Sequence, residues 1–463
     1  MWKRLLSIRF RQCPRHWIIS GDAVHRREVV VLTQQRVSSL TTVARTGRDG
    51  IRASMQFYSN CGEEEKWLVK ASFYIGVTSA VLWYVLILYW GSIGFTSEEI
   101  GYMEAIGTAA GLVTYLVGGY LADKLGRKML FLAGLISTAI GLIIFFGERS
   151  FAPFVVAYVF TNIGGSLAWP CLTALMADKT SPADMKYFFS VQGFVNQVGT
   201  TLATFLGIFV PAFLRESYST ELTIGYGYVF LVTVVCAFVP IMYVLRVTEK
   251  PAMPEKLLVH YDRRMLKMLS VYAVQNAMFG VGAAMVIPWF PLIFEKGMDA
   301  NLYDVSLMIT LSNVVLAVGW LIVPKFAEIR GSVILISVAQ IASVIPFLVI
   351  PYIDSLIIVA VLYTIRNFLM IVPVPILNAY LVNVVSREIR ASFLSLSQLA
   401  WMVGFAPSAA IAGHIWNNDY SKAEPFFYAS AMYILATLIF WGYFRKIADP
   451  GDRKTNGQTK QKM

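Results

Sequence analysis

One basic side chain lies deep inside a long apolar segment of this sequence. Arg366 is about twelve residues into a segment that begins near residue 355, which is ~17 Å along a helix at ~1.5 Å per residue. A charge at that depth in a bilayer is costly and commonly functional. With Asn367 beside it, Arg366 could bind an anionic or hydrogen-bond-accepting molecule. Alternatively, it could pair with polar groups of neighbouring helices and hold them together.

Uncharged polar side chains occur in several other apolar segments. Gln192 and Asn196 are four residues apart, so on a helix they share one face and could line a cavity. Any one amide alone can equally serve as a contact between helices. The predicted binding candidates are Arg366, Asn367, Gln192, Asn196, Gln275, Asn276, Trp83 and Gln398.

The sequence shows no pattern of catalytic or metal-binding chemistry. Its four cysteines and four histidines form no cluster with metal-ligand spacing. No GxxxxGK[ST] loop occurs, so direct use of ATP is not expected. We therefore predict no catalytic residue, no metal and no cofactor.

A short polar motif occurs twice, 205 residues apart. Residues 118–128 read GGYLADKLGRK and residues 324–331 read PKFAEIRG. The acids and glycines of the two copies align with no gap, and acids, amides and prolines elsewhere match at the same offset. Such matches are hard to obtain by chance, so they indicate a duplicated membrane unit. They are Asp123 with Glu328, Gly126 with Gly331, Glu99 with Asp304, Asn162 with Asn367, and Pro170 with Pro375.

The motif resembles the loop that joins the second and third helices in the major facilitator superfamily of secondary transporters. The resemblance implies an all-α membrane fold, with twelve transmembrane helices in two pseudo-symmetric six-helix bundles around a central site. It also implies that the motif acts in gating and does not bind the solute; the alternative is a stable turn that carries positive charge. The gating set is Gly119, Asp123, Gly126, Arg127, Lys128, Glu328 and Gly331.

Elementary chemistry suggests roles for the motif residues. Gly119 would let the second helix approach a neighbour closely, and Gly126 could take the positive φ of a tight turn. Asp123 could face the positive end of the eleventh helix, which we expect to begin near Ser386. By the pseudo-symmetry, the acid of the second copy would face the fifth helix, which begins at Ser181.

Composition agrees with a chain that lies mostly in lipid. The 463 residues are 57% hydrophobic and 14% charged, with a mean hydropathy of +0.61, whereas soluble proteins are about 25% charged. Twelve segments are long enough to cross a bilayer. They are 68–92, 99–121, 128–147, 152–176, 187–214, 223–246, 266–294, 303–325, 332–352, 355–382, 391–416 and 425–445.

These segments predict five regions of the chain. We expect the protein in the plasma membrane. Basic residues concentrate in alternate loops, so both termini and the linker should face the cytoplasm. The regions are a disordered basic extension at 1–65, bundles at 66–246 and 266–446, a linker at 247–265 and a disordered tail at 447–463.

The net charge of +11 comes mainly from the N-terminus. Residues 1–54 hold 11 basic and 3 acidic residues, so the charge does not indicate nucleic-acid binding. Three explanations stay open for this stretch: an upstream start with Met55 as the true initiator, a disordered basic arm, or a transit peptide of mitochondrial type.

The resemblance implies a secondary transporter that moves a small organic solute by alternating access, works as a monomer and could be an exporter. Two features depart from drug–proton antiporters of the family: Thr161 stands where they place an arginine, and the fifth helix lacks their Gly-Pro pair. Glu104 is the candidate for a coupling proton, although an outward-facing acid in water is the favoured interpretation. A facilitator or symporter of an organic anion or sugar, anchored by Arg366, is the alternative. A membrane sensor or intramembrane enzyme is a third hypothesis.

Overall fold

The structure is a computed structural model of the 463-residue chain. It describes residues 51–147, 149–181, 184–249, 263–326, 332–371, 377 and 390–447. All of them belong to the compact unit Asp49–Met463. Glu328 and Gly331, the middle of the predicted linker and most of the predicted tail lie outside the described residues.

The described part of the chain is built of long helices. Eleven are long and apolar enough to cross a membrane, and a shorter apolar helix lies where the tenth was predicted. The prediction of a twelve-helix membrane fold is confirmed. We number them α1 Glu63–Ile93, α2 Ser97–Leu125, α3 Arg127–Gly147, α4 Phe151–Lys179, α5 Met185–Tyr218, α6 Leu222–Leu245, α7 Arg263–Gly297, α8 Leu302–Phe326, α9 Val333–Tyr352, α10 Leu356–Ile371, α11 Arg390–Trp416 and α12 Glu424–Phe444.

The chain starts α2 and α8 in the same way, 205 residues apart. Before α2, Thr96 accepts from the backbone of Glu99 while the Glu99 carboxylate accepts from Thr96. Before α8, the Asp304 backbone N–H donates to Asn301 Oδ1, while the Asn301 side-chain amide donates to the Asp304 carboxylate. Reciprocal capping satisfies N–H groups that a helix start leaves free. The sequence repeat is therefore also a structural repeat.

The first helix of each half is irregular. α1 contains a π-helical turn at Val81–Val85, and α7 contains one at Ile293–Gly297. In α7, Pro288 lacks an N–H, and the helix is interrupted there. Two buried indoles donate to carbonyls at the break: Trp289 to Ala284 O and Trp416 to Met285 O. The two tryptophans fix the shape of this interruption in α7.

Two helix pairs join the halves. Within each half the helices pack mainly on one another, whereas α2 lies along α11 and α5 lies along α8. These are the two pairings that we predicted from the motif and its repeat. We call the side that holds the α2–α3 turn and the α4–α5 connection the motif side, and the side that holds the α1–α2 and α7–α8 connections the opposite side.

The predicted N-terminal extension differs from the structure at its end. Residues 51–60 are helical and lead directly into α1. The ring of Phe57 packs against Phe188 of α5 at 5.8 Å between centroids, and Ser54 and Cys61 are buried. An apolar partner on α5 orders this stretch, which composition alone could not indicate.

Candidate transport site

Arg366 is held inside a cage of aromatic and amide groups. It lies ten residues into α10, or ~15 Å at ~1.5 Å per residue, and only 6% of it is exposed. Its guanidinium donates to the Tyr433 hydroxyl at 2.8 Å and to the side-chain oxygen Oδ1 of Asn367 at 3.0 Å. It also lies over the Phe347 ring, 4.6 Å from the centroid. Within the described residues its Nε has no hydrogen-bond partner.

The cage reaches the other half of the molecule through α1. The hydroxyls of Tyr84 on α1 and Tyr363 on α10 form a hydrogen bond with each other. Both lie close enough to Arg366 to interact with its charge. Tyr84 belongs to the π-helical turn of α1, where the irregular backbone changes the direction of its side chains. Arg366 therefore lies next to the boundary between the halves.

A polar chain continues from Arg366 to the α5–α8 contact. The Asn367 amide donates to Ser312 of α8 at 3.3 Å. The next residue, Asn313, accepts from Gln197 of α5 at 3.0 Å and donates to Thr204 of α5 at 3.3 Å. Two consecutive residues of α8 thus have partners in different halves. Ser312 contacts α10 of its own half, and Asn313 contacts α5 of the other half.

The amides predicted on α5 have different surroundings. Gln192 is buried, and its Nε2 lacks a partner among the described residues. Asn196 donates to Ser72 O of α1 at 3.0 Å, which is a contact within the N-terminal half. Gln192 thus has an amide donor without a described partner, whereas Asn196 makes a contact within its own half.

The remaining binding candidates are not brought together into one cluster. Gln275 of α7 is buried, with its Oε1 unpartnered among the described residues. Asn276 donates to Tyr272 O of its own helix at 2.8 Å. Trp83 and Gln398 have exposed side chains. Only Asn367 among the predicted candidates contacts Arg366 directly.

Glu104 differs from its favoured sequence-based interpretation. It is 8% exposed, and the Tyr158 hydroxyl of α4 donates to its carboxylate at 2.6 Å. Tyr158 in turn packs edge-on against Trp90 of α1 at 5.3 Å. Glu104 makes no ion pair with a described basic residue, so it is a buried acid and does not face water on the opposite side. α2 places it there because its apolar face packs on α4.

Two cations of the motif bind within the N-terminal half. Arg127 pairs with Asp178 at the end of α4 at 2.5 Å. The Lys128 ammonium donates to Leu245 O and Val247 O at the end of α6, both at 2.8 Å. Positive groups favour helix C-termini because those carry partial negative charge. Both cations therefore tie the start of α3 to neighbouring helix ends.

A carboxylate binds the start of α3. Glu249 accepts from the backbone N–H groups of Arg127 at 2.6 Å and Lys128 at 3.2 Å, at the positive end of the helix. Gly126 precedes them with φ of +93°, as predicted for the tight turn. This turn is thus fixed by backbone geometry and by charge.

The predicted close approach at Gly119 is not present among the described residues. A Cβ atom at Gly119 would meet none of them within 4 Å, whereas one at Gly101 or Gly111 would overlap a neighbouring helix. In the described part of the chain, α2 therefore touches its neighbours nearer the opposite side. The Asp123 side chain lies outside the described part of the structure.

The halves contact each other on the opposite side. The backbone N–H of Ser97 on α2 donates to Asn418 Oδ1 at 2.8 Å. The Glu98 carboxylate lies 2.7 Å from His414 Nδ1 of α11. Further contacts join Tyr303 of α8 to Glu216 of α5 at 2.7 Å, and α7 to α1. The described residues therefore form an arrangement that is closed on the opposite side.

Comparison with known proteins identifies the family of this chain. Residues 68–409 match the family model described as Major Facilitator Superfamily, which is well over half of the chain. The chain belongs to the major facilitator superfamily. Members of this superfamily are transporters that bind small-molecule solutes, and they are not enzymes.

The superfamily relatives match short stretches of the sequence. The quinolone resistance protein NorA of Staphylococcus aureus is 29% identical over 102 residues, which are 22% of this chain and 26% of that protein. The multidrug resistance protein MdtH of Blochmanniella floridana is 27% identical over 132 residues, or 27% and 32% of the two chains. The matched stretches thus span only about a quarter to a third of these relatives.

Solved structures of the superfamily show the same fold. The nucleoside transporter NupG, in a variant form, aligns with a TM-score of 0.64 at 12% identity, covering 82% of this chain and all of that one. The human organic anion transporter MFSD10 aligns with a TM-score of 0.56 at 15% identity, covering 81% and 99%. At such identities the likeness concerns the fold alone.

This superfamily member carries site residues that the sequence analysis missed. Tyr158 contacts Glu104, and Tyr363 lies in the Arg366 cage. These tyrosines are 205 residues apart, and each precedes by four residues an asparagine of the repeat. The repeat offset could have identified both. Phe347 has no aromatic counterpart at that offset. Tyr433 matches Tyr228 at the same offset, but no polar repeat residue near it pointed to the site.

Proposed function

We propose that this chain is a secondary transporter that moves a small organic solute across a membrane by alternating access. One observation supports this most. Two halves with equivalent helix starts meet through α2–α11 and α5–α8, are closed on the opposite side, and share a largely buried polar chain from Arg366 to Gln197. Rocking about these contacts would expose the middle of the molecule to each side in turn.

Export from the cell is the direction that the relatives favour. NorA and MdtH are named for resistance to quinolones and to multiple drugs, and resistance of that kind is consistent with removal of a compound. We place the protein in the plasma membrane as a monomer in the lipid bilayer, with its motif side and both termini in the cytoplasm. The positive charges of Lys124, Arg127 and Lys128 support this orientation.

We assign the motif to gating. Arg127 and Lys128 hold helix ends of the N-terminal half together, so that it can move as one body. Free space at Gly119 would let α11 approach α2 when the motif side closes. Asp123 and its repeat mate Glu328 would then bind the starts of α11 and α5, with Gly331 as the repeat mate of Gly126.

Glu104 is the proposed site of a coupling proton. A buried carboxylate with one neutral donor, the Tyr158 hydroxyl, lacks the compensation that an ionised group needs in a low-dielectric interior. Glu104 would therefore be protonated in this conformation and release its proton when water reaches it. The Glu104→Gln variant should transport without a pH gradient, whereas the wild type should depend on one.

Facilitated uptake or symport of a small organic anion or sugar is the second candidate function. The observation that favours an anion is the Arg366 guanidinium, which is buried, contacts no described carboxylate, and keeps one N–H without a partner. A carboxylate of the solute could accept from it. Asn367, Gln192 and Gln275 would supply neutral hydrogen bonds to the rest of the solute.

A flux screen in proteoliposomes tests these functions. Purified protein is reconstituted, and uptake of labelled organic cations, anions, nucleosides and sugars is measured with and without an imposed pH gradient. Arg366→Lys and Arg366→Met are run in parallel. Loss of anion flux in the Met variant alone would support the second candidate. Equal loss for every solute in both variants would show that Arg366 holds the bundle together.

A further inference from the structure

The last turns of α1 and α7 meet at a special position of the molecule. The Lys296 ammonium on α7 donates to Gly91 O on α1 at 3.2 Å. These residues are 205 positions apart, which is the repeat offset. Equivalent residues of two halves can touch only close to the axis that relates them. The contact therefore lies at the pseudo-twofold axis, where the halves meet on the opposite side.

The chemistry of this contact suits a reversible lock. α1 ends at Ile93, so Gly91 O is among the last carbonyls, which lack a partner within the helix. The partial negative charge of a helix C-terminus attracts an ammonium group. A Cβ at Gly91 would lie 3.2 Å from Lys296 Nζ and 2.9 Å from Leu292 Cδ2, so a larger residue there would displace the ends of these two side chains.

The contact also lies where the halves must separate. Opening of the opposite side moves the ends of α1 and α7 apart, because each belongs to a different half. We propose that Lys296 is a positioning residue that holds the opposite side closed by binding the C-terminus of α1. Opening then requires that the ammonium leave Gly91 O for water. This inference rests on the proposed alternating access and adds the residue that biases it.

A second lysine provides the matched control. Lys422 donates to Ile415 O at 2.9 Å and Trp416 O at 3.0 Å, at the C-terminus of α11 on the same side. Its chemistry is that of Lys296, but lysine and acceptor belong to one half. Loss of Lys422 should therefore weaken a helix end without changing the balance between closed and open forms.

The experiment measures that balance directly. Spin labels are placed at the exposed positions Tyr218 and Tyr352, one in each half, in an otherwise cysteine-free full chain in lipid nanodiscs. Double electron–electron resonance gives the ratio of long, open distances to short, closed ones. Lys296→Met should raise that ratio about two- to fivefold, the usual size of a charge effect at a helix terminus.

Two further variants separate the lock from general damage. Gly91→Ala should shift the ratio in the same direction as Lys296→Met, whereas Lys422→Met should leave it unchanged. Gly442→Ala is the control for the glycine, because its Cβ would meet nothing within 4 Å. Thermal unfolding of every variant reports whether it folds.

The inference is overturned if Lys296→Met and Lys422→Met give the same distance distribution, or if Gly91→Ala favours the closed form. The labels need no solute, so this test is independent of the flux screen. Absence of flux for every solute, with a shifted distance ratio, would contradict the proposed function and leave the lock standing.

Discussion

The two contacts that join the halves are equivalent by the repeat but use different chemistry. In α2–α11, Gly101 and Gly413 let the backbones touch, since a Cβ at Gly101 would lie 2.6 Å from Ala409 O. In α5–α8, the repeat mate of Gly101 is Ser306, whose hydroxyl donates to Phe205 O at 3.0 Å.

The difference is seen at mid-depth and near the opposite side of the two contacts. Asn313 bridges α5 and α8 at mid-depth, whereas α2 presents glycines to α11. Near the opposite side, Glu98 pairs with His414, and their repeat mates Tyr303 and Phe209 pack ring against ring at 5.1 Å. Duplication thus retained the helix pairing while its side chains diverged. Close backbone packing makes α2–α11 a rigid seam, whereas hydrogen bonds in α5–α8 can be exchanged.

Breaking the rigid seam should have the largest effect. In Gly101→Val, the new side chain has no room against α11, and overpacking of a close contact typically costs about 1–3 kcal/mol or more. We expect a markedly lower melting temperature in detergent, measured by intrinsic fluorescence. The matched control is Gly119→Val on the same helix, where the space is open. Equal destabilisation by both variants would contradict the seam.

Removal of the mid-depth bridge should come next. Asn313→Leu leaves the half-buried Gln197 amide without its partner, at a cost of about 1 kcal/mol, toward the low end for a lost partner. Since the desolvation of Gln197 causes much of that cost, the double variant Gln197→Leu/Asn313→Leu should recover part of the stability. SDS-induced unfolding of the two single variants and the double variant gives the coupling. Strict additivity would show that the amides do not act as a pair.

The α5–α8 hydrogen bond near the opposite side should matter less. Ser306→Ala removes one donor and leaves Phe205 O with its helical bonding, so a loss of about 0.5–1.5 kcal/mol is expected. Ser306→Gly would reproduce the residue of the α2–α11 seam. A loss as large as that of Gly101→Val would mean that the two contacts are equally rigid.

The pairing of helices could be predicted, but the way each pair is joined could not. The 205-residue offset and the charged motif led to both pairs, because symmetry doubles any contact inferred for one half. Gly119 was expected to be the close contact of α2, yet Gly101 has that role. Which glycine touches a neighbour depends on the tilt of the helix and on which side is closed, and neither is encoded locally.

In the candidate site, too, some residues could be predicted from the sequence and their contacts could not. Arg366 and Asn367 were visible as polar residues in an apolar segment, and depth could be counted along a helix. Burial of Glu104 could not be foreseen, since it depends on the facing Tyr158 of another helix. The Arg366 cage depends on Phe347 and Tyr433 from two further helices, and apolar periodicity gives no signal for such meetings.

The exposed contact between Glu98 and His414 should have the smallest effect. An exposed pair of this kind contributes about 0.2–1 kcal/mol. His414→Phe installs the residue type of the repeat mate Phe209, so it removes the contact with Glu98 and retains an aromatic ring. The spin-label distances should therefore shift only slightly toward the open form. A shift as large as that of Lys296→Met would mean that the Glu98–His414 pair, and not the close packing of glycines, holds α2 against α11.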